Sequence, residues 1–228
     1  MLDFLNKALF ALFDFVLPPS RRDTRVNTLT LADIPLSFET SEKCGVQVTT
    51  LWKYNDRFIH DLIWSLKYRK NAHAAQLCAE ALADYLQEAH SESQWMQDER
   101  PIVFVPIPLA SKRQRERGYN QIDLVLDHLR ELVPSRVERK ALQRIRETPP
   151  QTSLKRKERL ENMRGAFALL PVSLTKGTEF PSARSLMSAH VILLDDVVTT
   201  GATLSAATAA LKKAGVDAEC IALARAGE

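Results

Sequence analysis

Residues 190–203 constrain the fold of this chain more than any other stretch. Their sequence, HVILLDDVVTTGAT, is a short apolar run that ends in two adjacent aspartates and a Thr/Gly loop. An apolar run of that length, β-branched at its start, is typical of a strand buried on both faces of a parallel sheet. The alanine-rich stretch that follows predicts a helix over residues 204–214. The segment therefore predicts a strand–loop–helix unit of an α/β fold.

The loop between this strand and this helix predicts a phosphate site. Glycine allows the backbone to approach a ligand closely and to adopt a positive φ. Backbone N–H groups, Thr hydroxyls and the positive end of a helix dipole would all point to one place. The candidate binding residues are Thr199, Thr200, Gly201, Ala202 and Thr203. A simpler alternative is that Thr203 only caps the helix.

Asp195 and Asp196 predict a second part of the same site. Two carboxylates at the end of a buried strand cost desolvation without a structural gain, so a purely structural role does not explain them. They would repel a neighbouring phosphate, but they suit sugar hydroxyls or the outer shell of Mg²⁺. One molecule that carries a 5-phosphate, two adjacent hydroxyls and a metal-bound pyrophosphate is phosphoribosyl pyrophosphate. The glycine-rich phosphate motifs Gly-x-x-x-x-Gly-Lys-Ser/Thr and Gly-x-Gly-x-x-Gly do not occur in the sequence.

A basic cluster follows a second predicted strand, over residues 101–105, which must stop at two prolines. In open α/β sheets, ligands bind at the carboxyl ends of strands, so this cluster and the phosphate loop should meet there. Pyrophosphate needs several cationic donors, which makes Arg113 and Arg117 candidate contacts. A solvated basic turn is the alternative.

The remaining pattern predicts a parallel sheet with helices on both faces. A strand is predicted over residues 47–54, and helices are predicted over residues 56–68, 71–90 and 122–132. Residues 20–45 are predicted to form an irregular arm and residues 91–100 a polar linker. The predicted division is an N-terminal helix and arm over 1–45, a hood and helical region over 46–100, and a core over 101–228.

A charged segment over residues 144–162 predicts a mobile lid, although an ordinary solvated segment has the same composition. Between residues 136 and 164 there are ten Lys/Arg and four Glu, whereas the net charge of all 228 residues is only +3. Transfer of a ribosyl group passes through an oxocarbenium-like state that water would capture, so a lid has a role. Arginines of the lid would offset charge on a departing pyrophosphate.

Composition excludes several other classes of protein. The three cysteines lie too far apart for a zinc ribbon or a disulfide framework. Residues 1–17 are apolar, but charges interrupt them and they are too short to span a membrane. An amphipathic helix docked on the protein is expected there, with peripheral membrane contact as the alternative. A cytoplasmic protein is expected.

Several motifs together resemble the ComF family of phosphoribosyltransferase-like proteins, which is linked in bacteria to competence for natural transformation. They are Leu66-Lys67-Tyr68, VPIP at 105–108, RGYNQ at 117–121, TPPQT at 148–152, Glu158-Arg159 with Asn162, GAF at 165–167, and LDDVVTTG at 194–201. The resemblance implies a type I phosphoribosyltransferase fold, with a central parallel sheet flanked by helices and a small hood. It also implies phosphoribosyl pyrophosphate and Mg²⁺ at residues 195–203, with Lys67 and Arg159 as further site residues. Many members carry paired Cys-x-x-Cys motifs before the core, but this chain has only Cys44 there, so zinc is not expected.

Three functions remain open on the sequence. The first is transfer of ribose 5-phosphate to an unidentified acceptor, with Asp195, Asp196 and Arg159 as catalytic residues. The second is a sensor that binds phosphoribosyl pyrophosphate or a nucleotide without catalysis. The third is an adaptor for single-stranded DNA or competence proteins during uptake. A homodimer is also left open.

Overall fold

The structure, a computed structural model, describes residues 21–34, 36–92, 100–146, 156–170 and 183–227. Its helices are α1 (Arg21–Thr28), α2 (Arg57–Tyr68), α3 (Ala72–Glu92), α4 (Ser111–Arg117), α5 (Gln121–Leu132), α6 (Arg156–Met163), α7 (Ala183–Met187) and α8 (Ala202–Lys212). Its strands are β1 (Glu39–Lys43), β2 (Val46–Lys53), β3 (Ile102–Pro106), β4 (Arg136–Val137), β5 (Leu142–Arg144), β6 (Phe167–Leu169), β7 (His190–Val198) and β8 (Ala218–Arg225).

Six of the strands form one sheet in the order β1-β2-β8-β7-β3-β4. All neighbouring pairs in it are parallel except the β1–β2 hairpin at one edge. Strands β5 and β6 form a separate antiparallel pair. The α/β prediction of a central parallel sheet flanked by helices is therefore confirmed, and the architecture is consistent with a type I phosphoribosyltransferase fold.

Strand β7 shows how the sequence buries both faces of this sheet. Ile192 and Leu194 belong to the core that α1, α2, α3 and α5 cover. Val191 and Leu193 belong to the core that α6, α7 and α8 cover on the opposite face. Because successive side chains of a strand point to opposite faces, a continuous apolar run is what a central strand between two helical layers requires.

The order of the sheet predicts a crevice between β3 and β7. Strand β3 continues through α5 to β4 on one side, whereas β7 continues through α8 to β8 on the other side. The two connecting helices lie in different cores, and therefore on opposite faces of the sheet. Such a reversal of strand order opens a crevice at the carboxyl ends, where ligands bind in this class of fold.

The expectation of an irregular arm over residues 20–45 is wrong. The segment contains α1, a 3-10 turn at Leu31–Asp33 and the edge strand β1. Long-range ion pairs dock α1, because Asp23 contacts Arg69 and Arg25 contacts the buried Asp61. Pairing with β2 through the backbone orders β1. Neither effect leaves an apolar period in the local sequence.

The structure also changes the predicted assignment of β2, the bounds of α8 and the description of the lid. Strand β2 pairs with β8, so the segment predicted as a hood supplies one strand of the central sheet. Helix α8 begins at Ala202 and ends at Lys212, two residues earlier at each end than predicted. The predicted lid starts at the last residue of β5, and most of α6 lies within it. The predicted helix over residues 1–17 and the motif at 148–152 lie outside the described residues. No helix among the described residues is both long and apolar enough to cross a bilayer.

Candidate functional site

Asp196 lies at the centre of a polar network at the carboxyl end of β7. It follows Ile192 and Leu194 in the two-residue period of the strand, so it faces the side of the sheet covered by α2 and α5. Its Oδ2 atom is 3.0 Å from Lys67 Nζ on α2 and accepts a hydrogen bond from the Gln121 amide on α5. Only 8% of Asp196 is exposed, so this carboxylate is almost fully desolvated and is paired there.

Asp195 faces the opposite side of the same strand and has a different environment. Among the described residues, its carboxylate accepts one hydrogen bond, from the backbone N–H of Asp196 at 2.8 Å. Burial, followed by the neighbouring charge of Asp196, raises the pKa of Asp195 to about 7. Attraction by Lys67 and Arg113 acts in the opposite direction but is the smaller effect. Asp195 therefore has fewer stabilising contacts than Asp196, and its pKa lies near neutral pH.

The segment Arg117-Gly-Tyr-Asn-Gln121 positions this network. Arg117 Nη1 donates to Gln121 Oε1 at 2.8 Å, and its guanidinium lies 5.1 Å from the centre of the Tyr68 ring. Gly118, with φ of 74°, ends α4, and Asn120 caps α5 by accepting from the Ile122 N–H. Arg117 thus holds the amide that holds Asp196. Gln121 belongs to the RGYNQ motif, but the sequence alone did not indicate its contact with Asp196.

Tyr119 joins the same segment to the Leu66-Lys67-Tyr68 segment of α2. Its hydroxyl donates to the Leu66 carbonyl at 2.9 Å and accepts from the Lys70 N–H at 3.0 Å. Two motifs that are far apart in the sequence therefore form one contact surface. That contact fixes the part of α2 that delivers Lys67 to Asp196.

The loop before α8 has the backbone geometry expected of a close anion site. Gly201 is the N-cap residue, with φ of 83°, and it is buried against Lys43. A Cβ atom at this position would collide with the Lys43 side chain and backbone, so glycine is required for space as well as for φ. Thr199 is exposed, and Thr200 and Thr203 are partly exposed. The helix therefore begins at the loop and not at Thr203, which excludes the simpler capping role for that residue.

The β1–β2 turn packs on this loop, which the sequence did not indicate. The Cys44 thiol donates to the Thr200 carbonyl at 2.6 Å, and the Ser205 hydroxyl donates to the Cys44 carbonyl at 2.9 Å. Cys44 and Gly45 both have positive φ, as in the tight turns that connect hairpin strands. The hairpin thereby fixes the conformation of the loop before α8.

Of the three other cations predicted for the site, the structure places two near the carboxylates. Arg113 is exposed on α4, and its charge acts on Asp195. Lys67 is paired with Asp196 and lies 6.0 Å from the centre of the Tyr54 ring. Arg159 belongs to α6, but its side chain lies outside the described residues.

The described residues do not form a complete magnesium site, but they leave one carboxylate for an ion that is held mainly by its substrate. No group of three or more His, Cys, Asp or Glu side chains is placed to hold a metal in the described part of the chain. The Asp195 carboxylate is a hard oxygen donor with a single described hydrogen bond. Mg²⁺ keeps several waters and binds through one or two carboxylates together with substrate phosphates. Asp195 suits that mode, whereas Asp196 is already paired with a cation.

Comparison with known proteins finds relatives whose names refer to competence and to DNA utilization. No protein-family model matches the chain. Competence protein F of Haemophilus influenzae is 37% identical over 117 residues, which are 51% of this chain and 47% of that protein. DNA utilization protein YhgH of Salmonella typhimurium is 30% identical over 145 residues, 63% of this chain and 56% of that protein. The same-named protein of Escherichia coli K12 is 33% identical over 106 residues, 46% and 40% of the two chains.

The chain spans about half the length of the curated relatives it matches. The similarities support the resemblance to the ComF family that the sequence motifs indicate.

Proposed function

We propose that this protein binds phosphoribosyl pyrophosphate with Mg²⁺ and transfers ribose 5-phosphate to an acceptor. The observation that carries the proposal is the end of β7, where two carboxylates are followed, after a short loop, by a helix whose N-cap is a buried glycine with positive φ. This unit lies at the crevice between β3 and β7. Anion-binding amides and hydroxyl-binding carboxylates are thus adjacent, as the two ends of a ribose 5-phosphate require.

The chemistry follows from what each part can hold. The loop from Thr199 to Thr203 binds the 5-phosphate through backbone amides and hydroxyls. The two aspartates accept from the ribose hydroxyls and stabilise the positive charge that develops on the ring. A nucleophilic atom of the acceptor forms a bond to C1 while the C1–O bond to pyrophosphate breaks. Pyrophosphate leaves with the electron pair, and the proton of the acceptor passes to solvent. Bound Mg²⁺ neutralises charge on the pyrophosphate.

Cationic residues near the carboxylates supply the pyrophosphate contacts in this proposal. Arg113 is exposed, and its charge partly opposes the rise in the pKa of Asp195. It is therefore close enough to reach an anion beside that carboxylate. Lys67 would exchange part of its pairing with Asp196 for a substrate oxygen. Arg117 acts through Gln121, and Arg159 would belong to the lid.

Calorimetric titration with phosphoribosyl pyrophosphate and Mg²⁺ tests the binding step. We expect micromolar binding by the wild-type protein and a loss of at least about tenfold in Asp195→Asn, because a hydrogen bond to a charged group is lost. Asp84→Asn is the matched control, since Asp84 is exposed on α3 outside the crevice. Absence of binding by a folded wild-type protein would contradict the proposal.

Release of pyrophosphate separates an enzyme from a sensor that uses the same site. The enzyme releases pyrophosphate when a nucleobase, amine or aromatic acid is added together with the donor. A sensor binds the donor with the same dependence on Asp195 and releases none with any acceptor of the panel.

A second candidate, an adaptor in DNA uptake, is favoured by the names of the relatives and by the exposed cations of α4. It predicts single-stranded DNA binding that weakens steeply with salt. In this case Asp195→Asn would leave DNA binding unchanged. DNA binding with no affinity for phosphoribosyl pyrophosphate would favour the adaptor over the transferase.

A further inference from the structure

A cavity of about 540 Å³ lies beside the candidate site, between α1, α2 and the loop that follows β2. Arg22 and Arg25 line it from α1, and Arg57, His60 and Asp61 line it from α2. Tyr54 and Asn55 complete it. A cavity of this volume is within the range of small-molecule sites.

The charge of this cavity is positive. Of the residues that the structure describes, three guanidinium groups and one carboxylate, that of Asp61, line it. Asp61 is only 4% exposed and contacts Arg22 Nε at 2.7 Å and Arg25 Nη1 at 2.5 Å, so it holds both arginines in place. Arg57 forms no ion pair with any acidic side chain in the described ranges of the chain. The lining is thus pre-organised for an anion and has cationic capacity left.

Aromatic rings give the cavity a flat apolar component. The Tyr54 and His60 rings are in edge contact with their centres 5.2 Å apart. The Arg22 guanidinium lies 4.7 Å from the centre of the Trp64 ring, which keeps its plane fixed. Rings and guanidinium planes together favour a ligand that is planar as well as anionic.

Tyr54 connects the cavity to the carboxylates of the candidate site. Its backbone N–H donates to the Arg225 carbonyl at the end of β8, and the Ala226 N–H donates to the Val198 carbonyl at the end of β7. Lys67 Nζ lies 6.0 Å from the Tyr54 ring and 3.0 Å from Asp196. A molecule held in the cavity would therefore be separated from the ribose site by one aromatic ring and one lysine side chain.

We propose that this cavity is a second ligand site and that its ligand is a planar aromatic carboxylate. The inference does not rest on the proposed function, because the Tyr54 ring and the Lys67 side chain separate the cavity from the ribose site. The carboxylate is recognised by Arg57 together with the arginines that Asp61 orients. The ring lies against Tyr54 and His60.

A charge series of simple probes tests the proposal without the ribosyl donor. Benzamide, benzoate and phthalate differ mainly in charge, from neutral to dianionic, and calorimetry measures their binding. We expect affinity to increase along the series, and we expect Trp64 fluorescence to change on phthalate binding because Arg22 covers that ring. Arg57→Gln should weaken phthalate binding by at least about tenfold, the effect of one charge-assisted hydrogen bond.

Two control variants separate this proposal from the proposed function. Arg130→Gln removes an exposed cation of α5 and should leave phthalate binding unchanged. Asp195→Asn should also leave it unchanged while weakening phosphoribosyl pyrophosphate binding. Loss of donor binding with retained phthalate binding supports a ligand site that is distinct from the donor site.

Four outcomes would overturn the inference. They are no phthalate binding by the folded wild-type protein, equal affinity for benzamide and phthalate, equal affinity for inorganic phosphate and phthalate, and wild-type affinity in Arg57→Gln. None of these would affect binding of phosphoribosyl pyrophosphate, so failure here is distinguishable from failure of the proposed function.

Discussion

Asp195 and Asp196 are adjacent in the sequence but occupy opposite faces of β7. Asp196 faces the layer of α2 and α5, where Lys67 and Gln121 compensate its charge. Asp195 faces the layer of α8, where burial and the charge of its neighbour raise its pKa. Identical side chains one residue apart thus acquire different properties because a strand alternates its faces.

This difference separates a carboxylate that the fold stabilises from one that it leaves less stabilised. Asp196 joins β7 to the ends of α2 and α5 through its contacts with Lys67 and Gln121. Asp195 contributes nothing comparable to the fold and carries an unfavourable charge. A carboxylate that destabilises the folded protein at neutral pH is typical of a functional site, where the charge is needed for a ligand.

The largest expected effect comes from removing Asp196. Asp196→Ala leaves Lys67 largely buried without its partner and should lower the free energy of unfolding by about 3 kcal/mol, measured by urea denaturation. The double variant Lys67→Met/Asp196→Ala removes both charges and should recover at least half of that loss. A loss below about 1 kcal/mol in the single variant would show instead that the Lys67–Asp196 pair contributes no more than an exposed ion pair does.

A smaller effect of opposite sign is expected for Asp195→Asn, and it depends on pH. Because the folded pKa is raised, the folded protein binds a proton that the unfolded chain has released, so wild-type stability falls as the pH rises from about 4 to about 7. Asparagine keeps the hydrogen bond to the Asp196 N–H and removes the charge. A rise in the pKa from about 4 to about 7 corresponds to about 4 kcal/mol, and solvent screening of the partly exposed carboxylate reduces this value. The variant should therefore be more stable by about 2 kcal/mol at pH 8, and equal to wild type at pH 4.

Unfolding midpoints of wild type and Asp195→Asn across this pH range measure the difference. Asp84→Asn is the control, and its difference in stability from wild type should stay constant over this range. Equal stability of Asp195→Asn and wild type at pH 8 would remove the distinction between the two aspartates.

The smallest effect concerns the support of Asp196 through Gln121. If Arg117 acts by holding Gln121, then Arg117→Met and Gln121→Met are non-additive, with a coupling energy of about 1 kcal/mol in a double-mutant cycle of unfolding free energies. The exposed Lys112–Glu116 pair on α4 is the control, with an expected coupling of about 0.3 kcal/mol. Additive effects of the Arg117 and Gln121 variants would instead favour a direct ligand contact for Arg117.

Most of the secondary structure near the site could be predicted because its signals are local. The apolar run of β7, the glycine before α8 and the prolines that end β3 each indicate their element without help from distant residues. The boundaries of α8 were displaced because Gly201, and not a threonine, is its N-cap. Segment 21–43 was missed because its order comes from ion pairs and edge pairing with distant residues.

The sequence by itself determined the α/β class, the strand–loop–helix unit at residues 190–212 and the presence of two carboxylates before a glycine loop. These features depend on side-chain period, glycine and proline, which act over a few residues. The tertiary structure alone decided which aspartate is paired, that the Cys44 turn closes on the loop, and that α1 forms a cationic cavity beside Tyr54. Each of these arises where elements far apart in the chain meet, and the energy of such a contact is set by geometry and burial that local sequence does not encode.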